Sequence, residues 1–161
     1  MIERQLFSGS DLTQPEGATK RTYRILVADD DEDIRHLIAH ALICAGYAVD
    51  AAENGVIAWN SLQVNSYDLL ITDNGMPGLT GVELIAKSRD ARVGVPVIMV
   101  TTAIPDQEFA KRPLLMPDAI LRKPFVIDEL LEKVNTMLAG ALVKARESAG
   151  NDYGTSFLNR N

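Results

Sequence analysis

The sequence predicts an α/β fold in which a parallel sheet of five strands is covered by helices on both faces. Short apolar segments alternate with segments that show the period or the end signals of helices, which is the order of βα units. The first strand, RILVA at residues 24–28, has no alternation of polar and apolar residues after Arg24, so both of its faces are expected to be buried. Right-handed crossovers between such strands give a doubly wound sheet, and ligands bind beyond the carboxyl ends of its strands.

Composition limits the size and the class of the protein. With 161 residues the chain suits one domain, and its net charge of −6 without a Lys/Arg cluster argues against direct binding of nucleic acid. A single cysteine, Cys44, excludes an internal disulfide and fits a reducing compartment; we expect it to be a small buried side chain. Because there is neither a membrane-length apolar run nor a signal peptide, the sequence predicts a soluble cytoplasmic protein without a membrane partner.

Polar segments enclose the predicted domain. Residues 1–22 contain glycine and proline without a sustained period, and residues 145–161 are also polar, so we expect two tails around a domain at residues 23–144. The predicted strands cover residues 24–28, 47–51, 68–73, 95–101 and 119–123.

The predicted helices follow the strands in order. The first carries an apolar stripe at Ile34, Leu37, Ile38, Ala41 and Leu42.

Other residues mark where the helices begin and end. Gly46 is expected to end the first helix in the left-handed conformation, and Thr80 with Glu83 forms a capping box for the third. Pro113 and Pro117 are expected to stop or bend the fourth. The second, fourth and fifth helices are expected at about residues 56–64, 105–112 and 126–144.

Polar residues stand at the carboxyl ends of four predicted strands. Asp29 and Asp30 follow the first strand, Asp73 ends the third, Thr101 the fourth and Lys123 the fifth. Carboxylates are ligands for Mg²⁺, while a hydroxyl and an ammonium donate to phosphate oxygens. The sequence therefore predicts a site for magnesium and phosphoryl chemistry at this edge.

The acid run 29–33 needs a physical explanation because adjacent carboxylates repel one another. With Asp29 and Asp30 as ion ligands, Asp31, Glu32 and Asp33 are expected in the first turn of the helix, where the dipole favours negative charge.

Four motifs resemble the response-regulator receiver domain of two-component signalling. They are ILVADDDEDIR, YDLLITDNGMPGLTG, VPVIMVT and LRKPF, each at a strand end and in the family's order, and the resemblance spans about residues 23–140. It implies a flavodoxin-like sheet with strand order 2-1-3-4-5. No output domain is recognisable after the motifs, so a stand-alone receiver is expected, with a fragment of a larger hybrid protein as the other option.

The resemblance also implies the metal site. Asp73 matches the phosphoacceptor, Asp30 and Asp73 would contact Mg²⁺ directly, Asp29 would act through water, and the backbone carbonyl of Gly75 would complete the protein ligands.

Further roles are implied at the fourth and fifth strands. Thr101 would bond one phosphoryl oxygen and Lys123 another, with a cis bond between Lys123 and Pro124. The switch position, aromatic in most of the family, is Ile120 here, which has no ring to couple to Thr101.

The implied partners are proteins. A sensor histidine kinase or a histidine phosphotransfer protein would supply the phosphoryl group, and a downstream protein would receive the signal. A phosphorelay intermediate, a phosphate sink and a weak homodimer remain open.

Two other functions compete with this interpretation. A haloacid-dehalogenase-type phosphatase would use Asp29 as its nucleophile, although Asp33 stands where that family has Thr or Val. A receiver-like binding platform that does not switch is favoured by Ile120 and by the two prolines before it.

Overall fold

A computed structural model describes the backbone of residues 21–150 and the side chains of residues 21–140. The described part forms one parallel sheet of five strands in the order β2-β1-β3-β4-β5, as expected. The strands are β1 (Arg24–Ala28), β2 (Ala48–Ala52), β3 (Leu69–Thr72), β4 (Val97–Thr101) and β5 (Ala119–Arg122). The helices are α1 (Glu32–Cys44), α2 (Gly55–Val64), α3 (Gly81–Asp90), α4 (Asp106–Lys111) and α5 (Ile127–Gly150), and a 3₁₀ helix (Pro113–Leu115) follows α4.

The core consists of two apolar layers, one on each face of the sheet. Leu26 belongs to the layer that packs against α2, α3 and α4, whereas Ile25 and Val27 belong to the layer under α1 and α5. All three side chains are fully buried, which confirms that both faces of β1 are covered. β2 and β5 lie at the two edges of the sheet and are more exposed than the central strands.

Helix α1 differs from expectation on its outer face. Ile38 and Leu42 are buried, but Leu37, which the predicted stripe included, is 47 % exposed. The expectation for Cys44 was wrong, because this side chain is exposed in the last turn of the helix, next to His40. Gly46 has φ of 92°, so it ends the helix in the left-handed conformation as predicted.

Pro113 shapes the segment between β4 and β5 as predicted. Helix α4 ends before Pro113, and the chain continues as one turn of 3₁₀ helix. Phe109 of α4 and Leu115 of the 3₁₀ helix still reach the core.

The ends of the described chain extend the predicted domain slightly. Helix α5 continues to Gly150, beyond the expected end at residue 144. At the other end, Arg21 forms an ion pair with Asp68. The predicted tails at 1–22 and 145–161 fall mostly outside the described residues and stay a prediction. No helix within the described residues has both the length and the apolar character that a membrane span requires.

Candidate phosphoacceptor and metal site

Backbone pairing brings the predicted site residues to one edge of the sheet. The N–H of Asp73 donates to the carbonyl of Ala28, with a distance of 2.8 Å, which sets Asp73 beside Asp29. In the same way, the N–H of Lys123 donates to the carbonyl of Thr101 at 3.0 Å. The parallel register therefore gathers side chains that are far apart in the sequence.

Three carboxylates lie close enough to hold one metal ion. Oxygens of Asp29, Asp30 and Asp73 all lie within 4.8 Å of one another. Opposite ligands of an octahedral Mg²⁺ are about 4 Å apart, so these oxygens suit that ion after a small adjustment or with one ligand acting through water. Asp29 is 1 % and Asp73 8 % exposed, whereas Asp30 is exposed. Solvent can reach the cluster from the side of Asp30.

Lys123 is the cation of the site. Its Nζ lies 2.7 Å from Oδ2 of Asp29 and 3.5 Å from Oδ1 of Asp73. The peptide bond between Lys123 and Pro124 is cis, as expected from the resemblance. Three carboxylates and one ammonium leave a local excess of two negative charges, which a divalent cation would balance. The residues present therefore fit a magnesium ion.

Burial and charge act in opposite directions on these groups. Burial raises the pKa of the Asp29 carboxyl above its usual value, although the hydrogen bonds from Lys123 and from the N–H of Asp31 oppose the rise. Burial alone would lower the pKa of Lys123, but its hydrogen bond to Asp29 and the charges of Asp29 and Asp73 raise it. Lys123 thus stays protonated and provides a permanent positive charge.

The start of α1 fixes the position of Asp29. The N–H of Asp31 donates to Oδ1 of Asp29 at 3.0 Å, and Nη1 of Arg35 donates to the Asp29 carbonyl at 2.8 Å. Asp31 is the N-cap of the helix, so its expected place in the first turn was wrong by one position. Its side chain accepts from the N–H groups of Asp33 and Ile34. Sequence reasoning missed Arg35, since an arginine in an amphipathic helix gives no special signal.

The loop between β3 and α3 fixes Asp73. The N–H of Gly75 donates to Oδ2 of Asp73 at 2.7 Å, and Oδ1 of Asn74 accepts from the N–H of Val82 at 3.1 Å. A Cβ on Gly81 would lie 2.4 Å from the Asp73 carbonyl oxygen, so only glycine fits there. Asn74 and Gly81 were not predicted to matter, and the expected role of the Gly75 carbonyl as a metal ligand stays a prediction.

Thr101 and Ile120 lie in the expected places, but among the described residues the hydroxyl of Thr101 forms no hydrogen bond with the carboxylate cluster. Thr101 is buried, and its hydroxyl donates to the carbonyl of Ala103 at 3.2 Å. Ile120 is partly buried and packs against the layer that contains Phe109 and Leu115. The hydroxyl is bonded within its own loop, and the switch position is filled by an aliphatic side chain.

A doubly wound sheet of this strand order, with three carboxylates and a lysine at its carboxyl edge, has the architecture of a receiver domain. The chain belongs to the family described as response regulator receiver domain, whose model matches residues 25–135. The domain is therefore a signalling domain rather than a metabolic enzyme, which sets the phosphatase alternative aside.

Curated relatives and solved structures agree with this family. The chain is 34 % identical over 115 residues to the probable transcriptional regulatory protein SilR of Salmonella typhimurium, covering 71 % of this chain and 50 % of SilR. It is 34 % identical over 123 residues to the response regulator receiver protein CpdR of Brucella abortus, covering 73 % of this chain and 98 % of CpdR. The chain thus spans about half the length of SilR and nearly all of CpdR.

A solved structure adds information on ligands in a relative. The response regulator TrrA of Thermotoga maritima, in complex with Mg²⁺ and BeF, is 35 % identical, with a TM-score of 0.64. The match covers 73 % of this chain and all of the TrrA chain. Receiver domains in general bind Mg²⁺, and the acidic cluster of this chain fits that property.

Proposed function

We propose that this protein accepts a phosphoryl group on Asp73 from a histidine kinase or a histidine phosphotransfer protein and passes the signal on by contact with a downstream protein. The observation that carries the proposal is the position of Lys123 Nζ between Asp29 and Asp73, at 2.7 and 3.5 Å. Both oxygens of Asp29 accept hydrogen bonds, and Asp29 is more deeply buried than Asp73. Asp73 is therefore the better candidate for attack on an incoming phosphoryl group.

The reaction brings two negatively charged groups together, the carboxylate of Asp73 and the phosphoryl group of the donor. An oxygen of Asp73 forms the new P–O bond while the P–N bond of the donor's phosphohistidine breaks, and the donor imidazole leaves with the bonding electrons. The ammonium of Lys123 neutralises charge on the transferred oxygens, and the N–H of Gly75 holds the attacking carboxylate in place. Mg²⁺, held by Asp29, Asp30 and Asp73, would supply further charge neutralisation.

The response to phosphorylation would begin at Thr101. Its hydroxyl would exchange the carbonyl of Ala103 for a phosphoryl oxygen, which would pull the segment before α4 toward the site. Since Phe109 of α4 and Ile120 share one apolar layer, a shift of α4 would change the packing around them. The proposed site of action is the cytoplasm.

Intact-mass spectrometry after incubation with acetyl phosphate tests the proposal. We expect one phosphoryl adduct on the wild-type chain in the presence of Mg²⁺, and none without Mg²⁺ or in Asp73→Asn. An adduct of equal yield in Asp73→Asn would overturn the assignment of the acceptor.

A second candidate function is a platform that binds its partner in every phosphorylation state, and Ile120 favours it because an aliphatic side chain replaces the usual ring. Hydrogen exchange of residues 101–116, with and without Mg²⁺ and beryllofluoride, separates the two candidates. A change in protection there supports switching, and unchanged protection in a protein that binds beryllofluoride supports the platform.

A further inference from the structure

A groove of about 650 Å³ separates the C-terminal ends of α3 and α4, and we call it the α3–α4 groove. Arg89 and Asp90 line it from α3, and Lys111, Arg112 and Leu114 line it from the other side. Helix α3 begins at the loop of Asp73 and has ten residues, so it is about 15 Å long. The α3–α4 groove therefore lies at the opposite end of α3 from the phosphoacceptor.

The charge of the groove is opposite to that of the whole protein. Three cationic side chains and one carboxylate line it, on a chain with a net charge of −6. Within the side chains that the structure describes, no carboxylate forms an ion pair with Arg89, Lys111 or Arg112. Arg89 is held in place because its Nη2 donates to the carbonyl of Met116 at 2.7 Å. The groove thus offers positive charge that the fold does not neutralise.

Apolar side chains stand beside these charges. Pro113 ends α4, and the 3₁₀ turn that follows points Leu115 into the core and Leu114 outward, so that Leu114 is 81 % exposed. Met116 is 50 % exposed next to it. An apolar side chain, Leu114, is thus exposed among the cationic side chains of the groove.

We propose that the α3–α4 groove docks a short acidic segment of another protein. Apolar side chains of that segment would cover Leu114, and its carboxylates would face Lys111 and Arg112, because charges at the rim of an interface select a partner of opposite sign. The proposal goes beyond the proposed function. It does not require that Asp73 be phosphorylated.

Fluorescence anisotropy with synthetic peptides tests the proposal on the full chain. The probe is a short labelled peptide of glutamates and leucines, and its matched control has every glutamate replaced by lysine. We expect the acidic peptide to bind at least about tenfold more tightly than the basic one, with an affinity that falls as salt is added.

Variants locate the binding site. The double variant Lys111→Glu with Arg112→Glu, and separately Leu114→Asp, should each weaken binding of the acidic peptide about tenfold. Arg89 is left unchanged because its bond to Met116 supports the fold. All three substituted side chains are exposed, so the variants should keep the wild-type circular dichroism spectrum.

A matched control separates the groove from net charge. Arg122→Glu with Lys133→Glu changes the charge by the same amount on β5 and α5, and it should leave binding within about twofold. Equal losses in both double variants would overturn the proposal, as would an acidic peptide that binds no better than the basic one.

The remaining outcomes are also decisive. Dimerisation of the free protein that Leu114→Asp abolishes, seen by sedimentation, would assign the groove to a second copy of the chain and overturn the peptide proposal. Asp73→Asn should bind the acidic peptide like wild type. Because Asp73→Asn cannot be phosphorylated at this position, its binding of the peptide tests the docking proposal independently of the proposed phosphorylation.

Discussion

The ammonium of Lys123 lies 2.7 Å from the carboxylate of Asp29, a residue 94 positions earlier in the chain. The same ammonium lies 3.5 Å from Asp73. A buried carboxylate is costly without a partner, so this ion pair allows the site to hold Asp29 within the protein. It also places a positive charge next to the position that a phosphoryl group on Asp73 would occupy.

Removing this charge should slow the phosphorylation of Asp73. In Lys123→Ala we expect labelling by acetyl phosphate to slow about 100-fold or more, because a preorganised charge next to the transferred group is lost. The rate of adduct formation by mass spectrometry is the measurement. The control is Lys133→Ala on α5, which should react like wild type, and labelling of Lys123→Ala at the wild-type rate would contradict the role of the ammonium.

Magnesium should stabilise the protein through the acidic cluster. A ligand that binds only the folded state raises the melting temperature, so we expect Mg²⁺ to do so for the wild-type chain. Asp30→Asn replaces a charged carboxylate ligand by a neutral amide, whose oxygen binds the ion more weakly, and should weaken Mg²⁺ binding at least about tenfold. The control is Asp33→Asn, which replaces an exposed acid in the first turn of α1 and changes the net charge by the same amount. Equal losses of Mg²⁺ affinity in both variants would show that net charge, rather than coordination, holds the ion.

Gly81 should tolerate no side chain. In Gly81→Ala the added methyl group would lie 2.4 Å from the Asp73 carbonyl oxygen, and we expect a loss of about 1–3 kcal/mol in the free energy of unfolding. Labelling of Asp73 should slow as well, since the backbone of the acceptor must move. In Gly94→Ala nothing lies within 4 Å of the new methyl group, so the free energy of unfolding should change little. Urea unfolding followed by the fluorescence of Trp59 measures both variants, and equal stabilities would contradict the close contact at Gly81.

The capping box at α3 should make stability depend on pH. The backbone N–H and the hydroxyl of Thr80 donate to Glu83 and lower the pKa of its carboxyl. A carboxyl whose pKa is lower in the folded state stabilises above its unfolded pKa, and this contribution is lost as pH falls through the folded pKa. We therefore expect Glu83→Gln to be less stable than wild type at neutral pH, and we expect the difference to shrink in acid as the pH falls through the folded pKa of Glu83.

The control for this prediction is Glu53→Gln, an exposed acid before α2. Its difference from wild type should be small at both pH values. A difference for Glu83→Gln that does not shrink in acid would contradict the contribution of the capping box.

Thr80→Ala should lower the free energy of unfolding by about 1 kcal/mol at neutral pH, because the N–H of Glu83 loses its acceptor.

Much of the fold follows from local patterns in the sequence. The apolar strands, Gly46 and the capping box of Thr80 and Glu83 act through residues a few positions apart, so their predicted structures were confirmed. The place of Asp73 and Lys123 at one edge was also predictable, because parallel strands align their carboxyl ends.

The rest depends on contacts between distant parts of the chain. The exposure of Cys44 and Leu37 was not predicted, since an apolar stripe does not show which of its members lie at its border. The close contact of Gly81 with Asp73 and the bond from Arg35 to Asp29 require coordinates, because neither leaves a pattern in the sequence.

The central claim is that Asp73, rather than Asp29, carries the phosphoryl group. Borohydride reduces an aspartyl phosphate to homoserine and so marks the residue that was phosphorylated. After treatment with acetyl phosphate and Mg²⁺, followed by borohydride and proteolysis, we predict homoserine at position 73 in fragment spectra of the wild-type chain. Homoserine at position 29 would contradict the account and restore Asp29 as the nucleophile.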